Sequence, residues 1–446
     1  MMKTCLFFIW LFCTFPLFSQ DITGTWYGYP DLKTHRLRLT IELQRQGNAY
    51  SATLKIPDQS DRIYPATKAD FTHNLLNLEF ADAGISCQGK LQSNGQINGN
   101  LQQDQYTFSL ILDRQPIVFH RPQTPQPPFP YHSEEVTFRN EEAGITLAGT
   151  LTLPQSPASR KTILFISGSG AQDRDNTFSE HKTFLVIADY LARHGIASLR
   201  VDDRGTGTST GDFNASGLPD SETDAQAALQ YLKQRREIAP DSIGVIGHSE
   251  GAFVAFTLAA RKEVPFIITL AGGGVNGCEL LLQQRAALLR ANGANEEFIN
   301  NYNQYMRQAQ EIVLQTADAQ TCEHRLTGLF AGTPLAGQAT AITRQLYTPG
   351  KIELLKYDPE WDFPEITCPV LALNGEKDCQ VPVGNLEHIR KGITANGNNR
   401  VITIAYPHLN HMFQTAGTGL PAEYSDIEET ICPQVLEDLV NWLCTH

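Results

Sequence analysis

The sequence lacks the features that mark several large protein classes. Its 446 residues include no basic tract and carry a net charge of −13. A nucleic-acid partner is therefore disfavoured, because binding a phosphate backbone needs a basic face. Beyond the first twenty residues there is no apolar run long enough for a membrane span. No internal repeat occurs. With 41% hydrophobic and 19% charged residues, the chain has the composition of a globular protein, and its length suits two domains.

Cysteine and glycine patterns give no support to a cofactor. The nine cysteines form no CxxC pair and no Cys/His spacing of a zinc site. The glycine-rich segment 168–171 is not followed by the Gly-Lys-Ser/Thr of a P-loop. Gly205 and Gly207 lack the third glycine of a dinucleotide fingerprint. We therefore expect neither a metal nor an organic cofactor. Disulfide pairing stays open.

Residues 1–20 have the pattern of a secretory signal peptide. Lys3 provides a positive start, residues 6–18 are nearly all apolar, and Ser19 is a small residue at a possible cleavage point. The apolar stretch is too short to span a bilayer comfortably. We expect cleavage and an exported protein, periplasmic or secreted, with a retained anchor as the alternative.

Residues 21–120 predict an all-β domain. Polar and apolar residues alternate at 36–43 and 106–112, and Asn-Gly turns occur at 94–95 and 98–99. Short strands at this spacing favour a small barrel or sandwich. Five prolines between residues 121 and 131 predict a semi-rigid linker over 121–133.

Residues 134–446 alternate between strand and helix patterns. Apolar strand candidates lie at 162–167, 196–201, 242–247, 265–271, 369–374 and 400–405, with helical patterns between them and a hairpin before them. This alternation predicts an α/β domain with a mostly parallel sheet flanked by helices. Residues 275–348 contain helical patterns without a clear strand, which predicts a helical lid inserted into that domain.

The motif G-x-S-x-G occurs twice, around Ser209 and around Ser249. A nucleophilic serine of this motif sits on a tight strand-to-helix turn, with glycines that let the two backbones crowd together. Only Ser249 has an apolar strand before it and an apolar helix after it. Ser249 is therefore the predicted nucleophile, and the alternative is a glycine-rich turn that caps a helix.

Serine needs an imidazole to take its proton, and the imidazole needs a carboxylate to fix its tautomer. In this type of fold the acid and then the histidine follow the serine at later strand ends. Asp378 is the predicted acid, with Glu376 as its rival. His411 is the predicted histidine, with His408 as its rival.

The oxyanion of the reaction intermediate needs backbone N–H donors. Glu250 follows the nucleophile and opens the next helix, so its amide is one expected donor. Ser169 lies in the glycine-rich loop after the strand candidate 162–167, and its amide is the other.

Five motifs in order together resemble bacterial esterases of the α/β-hydrolase superfamily. These are residues 166–175, 202–205, 247–251, 374–382 and 409–411. The similarity is greatest to exported carboxylesterases, related to dienelactone hydrolases and serine aminopeptidases, that carry a β-rich N-terminal domain. The resemblance implies the aspartate of the Gly-Glu-x-Asp loop, Asp378, and the histidine of Leu-Asn-His, His411, as triad members.

The predicted function is hydrolysis of a small carboxylic ester through the triad of Ser249, Asp378 and His411 and an acyl-enzyme intermediate. One alternative keeps the triad but cleaves peptides as an aminopeptidase does; this requires carboxylates that bind a substrate amino terminus. The other alternative is an inert secreted binding protein. Fold alone does not decide among them, since one scaffold supports many reactions.

Overall fold

A computed structural model describes residues 21–30, 37–47, 49–57, 60–103, 106–156 and 161–446. The predicted signal peptide, residues 1–20, lies outside the described residues. The chain divides into two compact units, the first ending at Val118 and the second beginning at Phe119. In the described ranges, no helix combines the length and apolar character needed to cross a membrane.

The first unit is a single curled antiparallel sheet. It contains β1 (Gly24–Pro30), β2 (Leu39–Gln46), β3 (Ala49–Ile56), β4 (Ser60–Pro65), β5 (Lys68–Thr72), β6 (Leu75–Phe80), β7 (Ile85–Leu91), β8 (Ile97–Gln103) and β9 (Tyr106–Asp113). The strand order is β4-β3-β2-β1-β9-β8-β7-β6-β5, and the sheet curls until β3 contacts β5. Because side chains alternate along a strand, one face carries the apolar residues, among them Trp26, Ile41 and Leu54. The predicted all-β unit is confirmed as a half-barrel.

An eight-stranded sheet forms the centre of the second unit. Its strands are β10 (Tyr131–Asn140), β11 (Ile145–Pro154), β12 (Thr162–Ile166), β15 (Ala197–Val201), β16 (Ile243–His248), β17 (Ile267–Leu270), β18 (Val370–Gly375) and β19 (Val401–Tyr406), while β13 (Thr177–Phe178) and β14 (His181–Lys182) form a separate small hairpin. The order is β10-β11-β15-β12-β16-β17-β18-β19. β10, β11 and β15 pair antiparallel, and all pairs from β15 to β19 are parallel. The predicted α/β fold is confirmed.

Helices cover both faces of this sheet. They are α1 (Thr183–Arg193), α2 (Leu218–Lys233), α3 (Gly251–Ala260), α4 (Gly277–Ala291), α5 (Glu296–Gln315), α6 (Ala319–Phe330), α7 (Ala339–Leu346), α8 (Pro349–Lys356), α9 (Asn385–Thr394) and α10 (Pro433–Thr445). Apolar residues of α2, α3 and α9 share one core, and those of α1 and α10 share the other. Because helices cover both faces, β12 and β16 are buried along their whole length and consist mostly of apolar residues.

The structure draws two boundaries differently from the sequence analysis. Residues 121–133 belong to the second unit. The side-chain amide of Gln123 donates to the Ile431 carbonyl at 2.7 Å, and β10 already begins at Tyr131. The helical insertion between β17 and β18 runs from α4 through α8, so it continues past residue 348 to Lys356. Helices α4 to α8 have an apolar core of their own, which includes Met306, Leu326 and Ile342.

Candidate active site

Ser249 lies on the turn between β16 and α3. Its φ is +53°, a strained left-handed conformation that is uncommon for a residue with a side chain. The crowding around the turn requires its two glycines. A Cβ atom on Gly247 would lie 2.3 Å from the carbonyl oxygen of Gly251, and one on Gly251 would lie 2.4 Å from that of Ser167. The Ser249 amide donates to the Leu270 carbonyl at 2.8 Å, which ties the turn to β17.

The other G-x-S-x-G serine has a structural environment. Ser209 is buried; its hydroxyl donates to the Asp202 carbonyl at 2.8 Å and accepts from the Ala148 amide at 2.9 Å. The Ser209 hydroxyl therefore both donates and accepts a hydrogen bond within the structure. Ser209 lies in a loop, as the absence of strand and helix patterns around it indicated.

Asp378 and His411 meet at the carboxyl ends of β18 and β19. Nδ1 of His411 lies 2.7 Å from Oδ2 of Asp378, and both side chains are buried. The second carboxylate oxygen, Oδ1, accepts hydrogen bonds from the backbone amides of Gln380 at 2.7 Å and Val381 at 2.8 Å. Asp378 is therefore held in orientation by its own loop.

The alternative acid and histidine, Glu376 and His408, do not share this arrangement. Glu376 and His408 both have exposed side chains. His408 contributes its backbone carbonyl to the loop, accepting from the Ala416 amide at 2.9 Å. Their positions fit surface residues of the two loops.

His248 is a buried residue of this region that the sequence analysis did not single out. Its Nε2 lies 3.2 Å from the His411 carbonyl oxygen and therefore donates to it, and the two imidazole rings are 4.9 Å apart. Burial lowers the pKa of His248 to about 3, so the ring is neutral. Because His248 directly precedes Ser249, this bond connects the turn that carries Ser249 to the loop that carries His411. The only sequence signal for it was its place inside the motif.

Ser169 and Glu250, the two expected oxyanion donors, are linked through their side chains. The Ser169 hydroxyl donates to Oε2 of Glu250 at 2.6 Å, and Nζ of Lys351 on α8 lies 3.6 Å from the same oxygen. Glu250 precedes the first residue of α3, so its N–H is one that an α-helix leaves without an internal acceptor. The Gly168 Cα lies against the turn, since a Cβ there would be 3.1 Å from the Ser249 Cβ.

Asp203 stabilises the loop that contains Ser169. Its carboxylate accepts from the Ser167 hydroxyl at 2.5 Å and from the Gln172 amide at 2.8 Å, so both ends of segment 167–172 are bound to one side chain. Burial raises the pKa of Asp203 to about 7. The two partners lie 36 and 31 residues away in sequence, so no local pattern indicates this role.

A cavity of about 350 Å³ opens beside Glu250. Gly168 and Gly170 lie at one wall, the start of α3 at a second, the inner face of α2 at a third, and the segment 347–351 at the beginning of α8 at the fourth. In the described part of the chain, no group of three or more His, Cys, Asp or Glu side chains is arranged to hold a metal ion. The seven cysteines in that part are unpaired.

Several known proteins are similar to this chain. Esterase EstD of Thermotoga maritima is 24% identical over 313 residues, which is 68% of this chain and 67% of EstD. An acyl transferase of Photobacterium leiognathi is 27% identical over 122 residues, which is 27% of this chain and only 37% of the transferase.

Solved structures also align with the chain. The Pyrococcus furiosus esterase Pf2001 has 17% identity and a TM-score of 0.42, covering 73% of this chain and 98% of its own. The α/β hydrolase GrgF from Penicillium sp. sh18 has 16% identity and a TM-score of 0.46, covering 71% and 99%.

One family profile, described as X-Pro dipeptidyl-peptidase (S15 family), matches residues 142–410, which contain Ser249 and Asp378 and end one residue before His411. The resemblance to α/β-hydrolase enzymes is thereby confirmed. Because this match spans more than half of the chain, the protein belongs to the X-Pro dipeptidyl-peptidase (S15) family of α/β hydrolases.

Proposed function

We propose that this protein hydrolyses carboxylic esters through the triad of Ser249, His411 and Asp378. The observation that carries the proposal is the buried 2.7 Å contact between Asp378 and His411, next to a serine on a strained strand-to-helix turn. Strained backbone and buried charged groups concentrate at catalytic sites, because there they serve the reaction. Esterase EstD supports ester substrates as the class.

The proposed reaction follows from the hydrogen bonds of His411. Asp378 binds Nδ1, so Nε2 is the ring nitrogen with a lone pair for the Ser249 proton. The Ser249 oxygen attacks the ester carbonyl carbon, and the oxyanion accepts hydrogen bonds from the Ser169 and Glu250 amides. His411 then gives its proton to the departing alcohol, which leaves an acyl-enzyme. Water, deprotonated by His411, releases the acid and restores Ser249.

The Ser249 hydroxyl and Nε2 of His411 must come into hydrogen-bond contact for this step. Within the described residues, the hydrogen bonds of His411 go to Asp378 through Nδ1 and to His248 through the carbonyl, and none joins Nε2 to the Ser249 hydroxyl. Catalytic hydrogen bonds are often loose without substrate and tighten when it binds. Rotation about the Ser249 Cα–Cβ bond is the adjustment that the proposal requires.

The test is covalent labelling with a fluorophosphonate probe, together with hydrolysis of short p-nitrophenyl esters. We expect labelling and hydrolysis by the wild type, and loss of both in Ser249→Ala. Ser209→Ala, the matched exchange in the other motif, should keep both. Hydrolysis that persists in Ser249→Ala would refute the assignment, and an unlabelled wild type would favour an inert binding protein.

The family description favours peptide-bond cleavage as a second candidate. The same triad serves both reactions, so the groups that flank the scissile bond determine whether an ester or a peptide is the better substrate. A panel of aminoacyl and X-Pro p-nitroanilides, compared with p-nitrophenyl esters of simple acids, separates the two. We expect the simple esters to be the better substrates.

Export remains part of the proposal. The charged start and apolar stretch of residues 1–20 support cleavage near Ser19. Expression in a bacterial host followed by fractionation and mass determination of the intact chain tests this. We expect a mass lacking roughly the first twenty residues, and a full-length cytoplasmic product would contradict export.

A further inference from the structure

The cavity beside Glu250 has an asymmetric position relative to the sheet. β12 and β15, whose ends line it, lie on one side of β16, the strand that leads to Ser249. β18 and β19, which lead to Asp378 and His411, lie on the other side. The residues that line the cavity lie within segments 147–254 and 347–351; Glu250 and Gly251, which follow Ser249, are among them, while Ser249, Asp378 and His411 are not.

This position decides which half of an ester the cavity can hold. In the proposed reaction, the leaving oxygen must face His411 to receive its proton, and the carbonyl oxygen must face the Ser169 and Glu250 amides. The carbon chain attached to the carbonyl then points away from His411, toward the β12 and β15 side. We propose that the cavity is the acyl pocket and that it selects an uncharged acyl group of medium size, a conclusion that rests on the proposed ester hydrolysis.

The charged groups at the cavity wall support an uncharged acyl group, because each has a protein partner. Asp224 accepts from Nε of Arg204 and from the side-chain amide of Asn140, both at 2.7 Å. Asp203 accepts hydrogen bonds from Ser167 and Gln172, and burial raises its pKa to about 7, so its carboxyl group is only partly ionised near neutral pH.

The remaining charges are engaged in the same way. Asp202 pairs with Nη2 of Arg174 at 2.7 Å. Arg204 donates to Asp220 at 2.6 Å in addition to Asp224. Lys351 and Glu250 face each other at 3.6 Å, and Glu250 also accepts from Ser169. A substrate ammonium or carboxylate would have to break one of these pairs, which a neutral acyl chain does not require.

The size of the pocket comes from small residues on α2. Ser221, Ala225 and Ala228 occupy positions i, i+4 and i+7, so they share one face of the helix, and all three line the cavity. Val254 on α3 lines another wall. A cavity of about 150 Å³ can hold benzene, so this one accommodates an acyl group of roughly eight to twelve heavy atoms, a medium-length alkanoyl or an arylalkanoyl group.

The experiment compares kcat/KM for p-nitrophenyl acetate, butyrate, hexanoate, octanoate and decanoate. We expect the wild type to prefer octanoate or decanoate to acetate by at least about tenfold, because each CH2 group buried in the pocket adds binding energy. Ala228→Leu should lower the octanoate value at least about tenfold while leaving acetate within about twofold, because only the longer chain reaches the filled volume.

Two further variants serve as control and counterpart. Ala227→Leu adds the same side chain on the same helix at a residue that does not line the cavity, and should leave the profile unchanged. Val254→Ala enlarges the cavity and should move the optimum to a longer chain. If Ala228→Leu fails to fold, as judged by circular dichroism and melting, the Val254→Ala profile decides.

Charge is tested with p-nitrophenyl esters of matched length. The hemisuccinate and an aminoacyl ester should react at least about tenfold more slowly than the neutral pentanoate. Equal rates, or equal effects of Ala228→Leu on acetate and octanoate, would overturn the pocket assignment while Ser249-dependent hydrolysis stands. A wild type that neither hydrolyses esters nor reacts with the fluorophosphonate would overturn the proposed function and the pocket together.

Discussion

The exchange Asp378→Asn tests the triad because the surrounding hydrogen bonds dictate how the asparagine must sit. Oδ1 of Asp378 accepts from the amides of Gln380 and Val381, so an oxygen must stay on that side. The new NH2 group then faces Nδ1 of His411, where the wild type has Oδ2 at 2.7 Å. Since an NH2 group donates, Nδ1 must become the acceptor.

This reversal moves the imidazole proton to Nε2, where the lone pair for Ser249 is needed. His411 can then no longer act as the base, although its position hardly changes. The corresponding exchange in a serine protease triad lowers kcat about 10⁴-fold through the wrong tautomer. We expect a similar loss here, on the order of 5 kcal/mol in the activation free energy. The fold should be retained, because volume and both backbone hydrogen bonds are preserved.

The assay is the pre-steady-state release of p-nitrophenol, with melting temperature as the check on folding. Glu376→Gln is the matched control, because Glu376 is exposed in the same loop and should change kcat/KM by less than about twofold. If Asp378→Asn keeps more than a tenth of wild-type activity, or if Glu376→Gln loses as much, the reasoning from the tautomer is wrong.

Two further predictions concern stability. Gly251→Ala should destabilise the second unit by about 2 kcal/mol or more, because its Cβ would meet the backbone oxygens of Ser167 and Ile166 at 2.4 and 2.5 Å. Gly328 lies in open space within α6, so Gly328→Ala should instead stabilise the protein by about 0.5–1 kcal/mol in denaturant unfolding. Equal effects of the two exchanges would contradict the packing argument. Asp203 has its pKa raised from 3.8 to about 7, so the folded state keeps a proton that the unfolded state has lost, and this stabilisation disappears as pH rises through about 7. Between pH 6 and 8 the free energy of unfolding of the wild type should therefore fall by roughly 1 kcal/mol more than that of Asp203→Asn. If the unfolding free energies of the two proteins depend on pH in the same way, the raised pKa is contradicted.

The positions of Ser249, Asp378 and His411 could be predicted because each follows an apolar strand. Buried parallel strands are apolar throughout, so their ends are visible in the sequence, and parallel strands bring those ends to one sheet edge. The order of the three residues along the chain then predicts the role proposed for the residue at each strand end. The structure places the carboxylate and imidazole of Asp378 and His411 in contact, as that reasoning requires.

Contacts between segments distant in sequence could not be predicted. Asp203 binds Ser167 and Gln172 through a loop geometry that no local pattern encodes. The proposed acyl pocket depends on small residues of α2 that line the same cavity as Gly168 and Gly170, and on the start of α8, which forms one wall. Small residues on a helix face ordinarily indicate close packing, so only the three-dimensional arrangement shows that space is left beside them.

The two boundaries that the structure draws differently have different physical origins. The helix that follows residue 348 begins with Thr348, whose hydroxyl accepts from the Lys351 amide at 3.3 Å, and with Pro349 at its first position. Threonine followed by proline is a recognisable helix start, so this extension of the insertion was available in the sequence. The contact of Gln123 with Ile431 joins residues 308 positions apart. The proline-rich composition of 121–133 carries no information about that partner.

The membership in a peptidase family and the proposed ester hydrolysis are compatible once the triad and the pocket are considered separately. A triad activates its serine in the same manner for esters and amides, so it does not select between them. Selection for a peptide amino terminus requires a carboxylate whose charge is free to pair with the substrate. Among the described residues at the cavity, Asp202 is bound to Arg174, Asp224 to Arg204, and Glu250 to Lys351 and Ser169. Asp203, whose pKa is raised to about 7, is only partly ionised near neutral pH. The electrostatics of the pocket wall, and not the catalytic residues, therefore favour a neutral acyl ester.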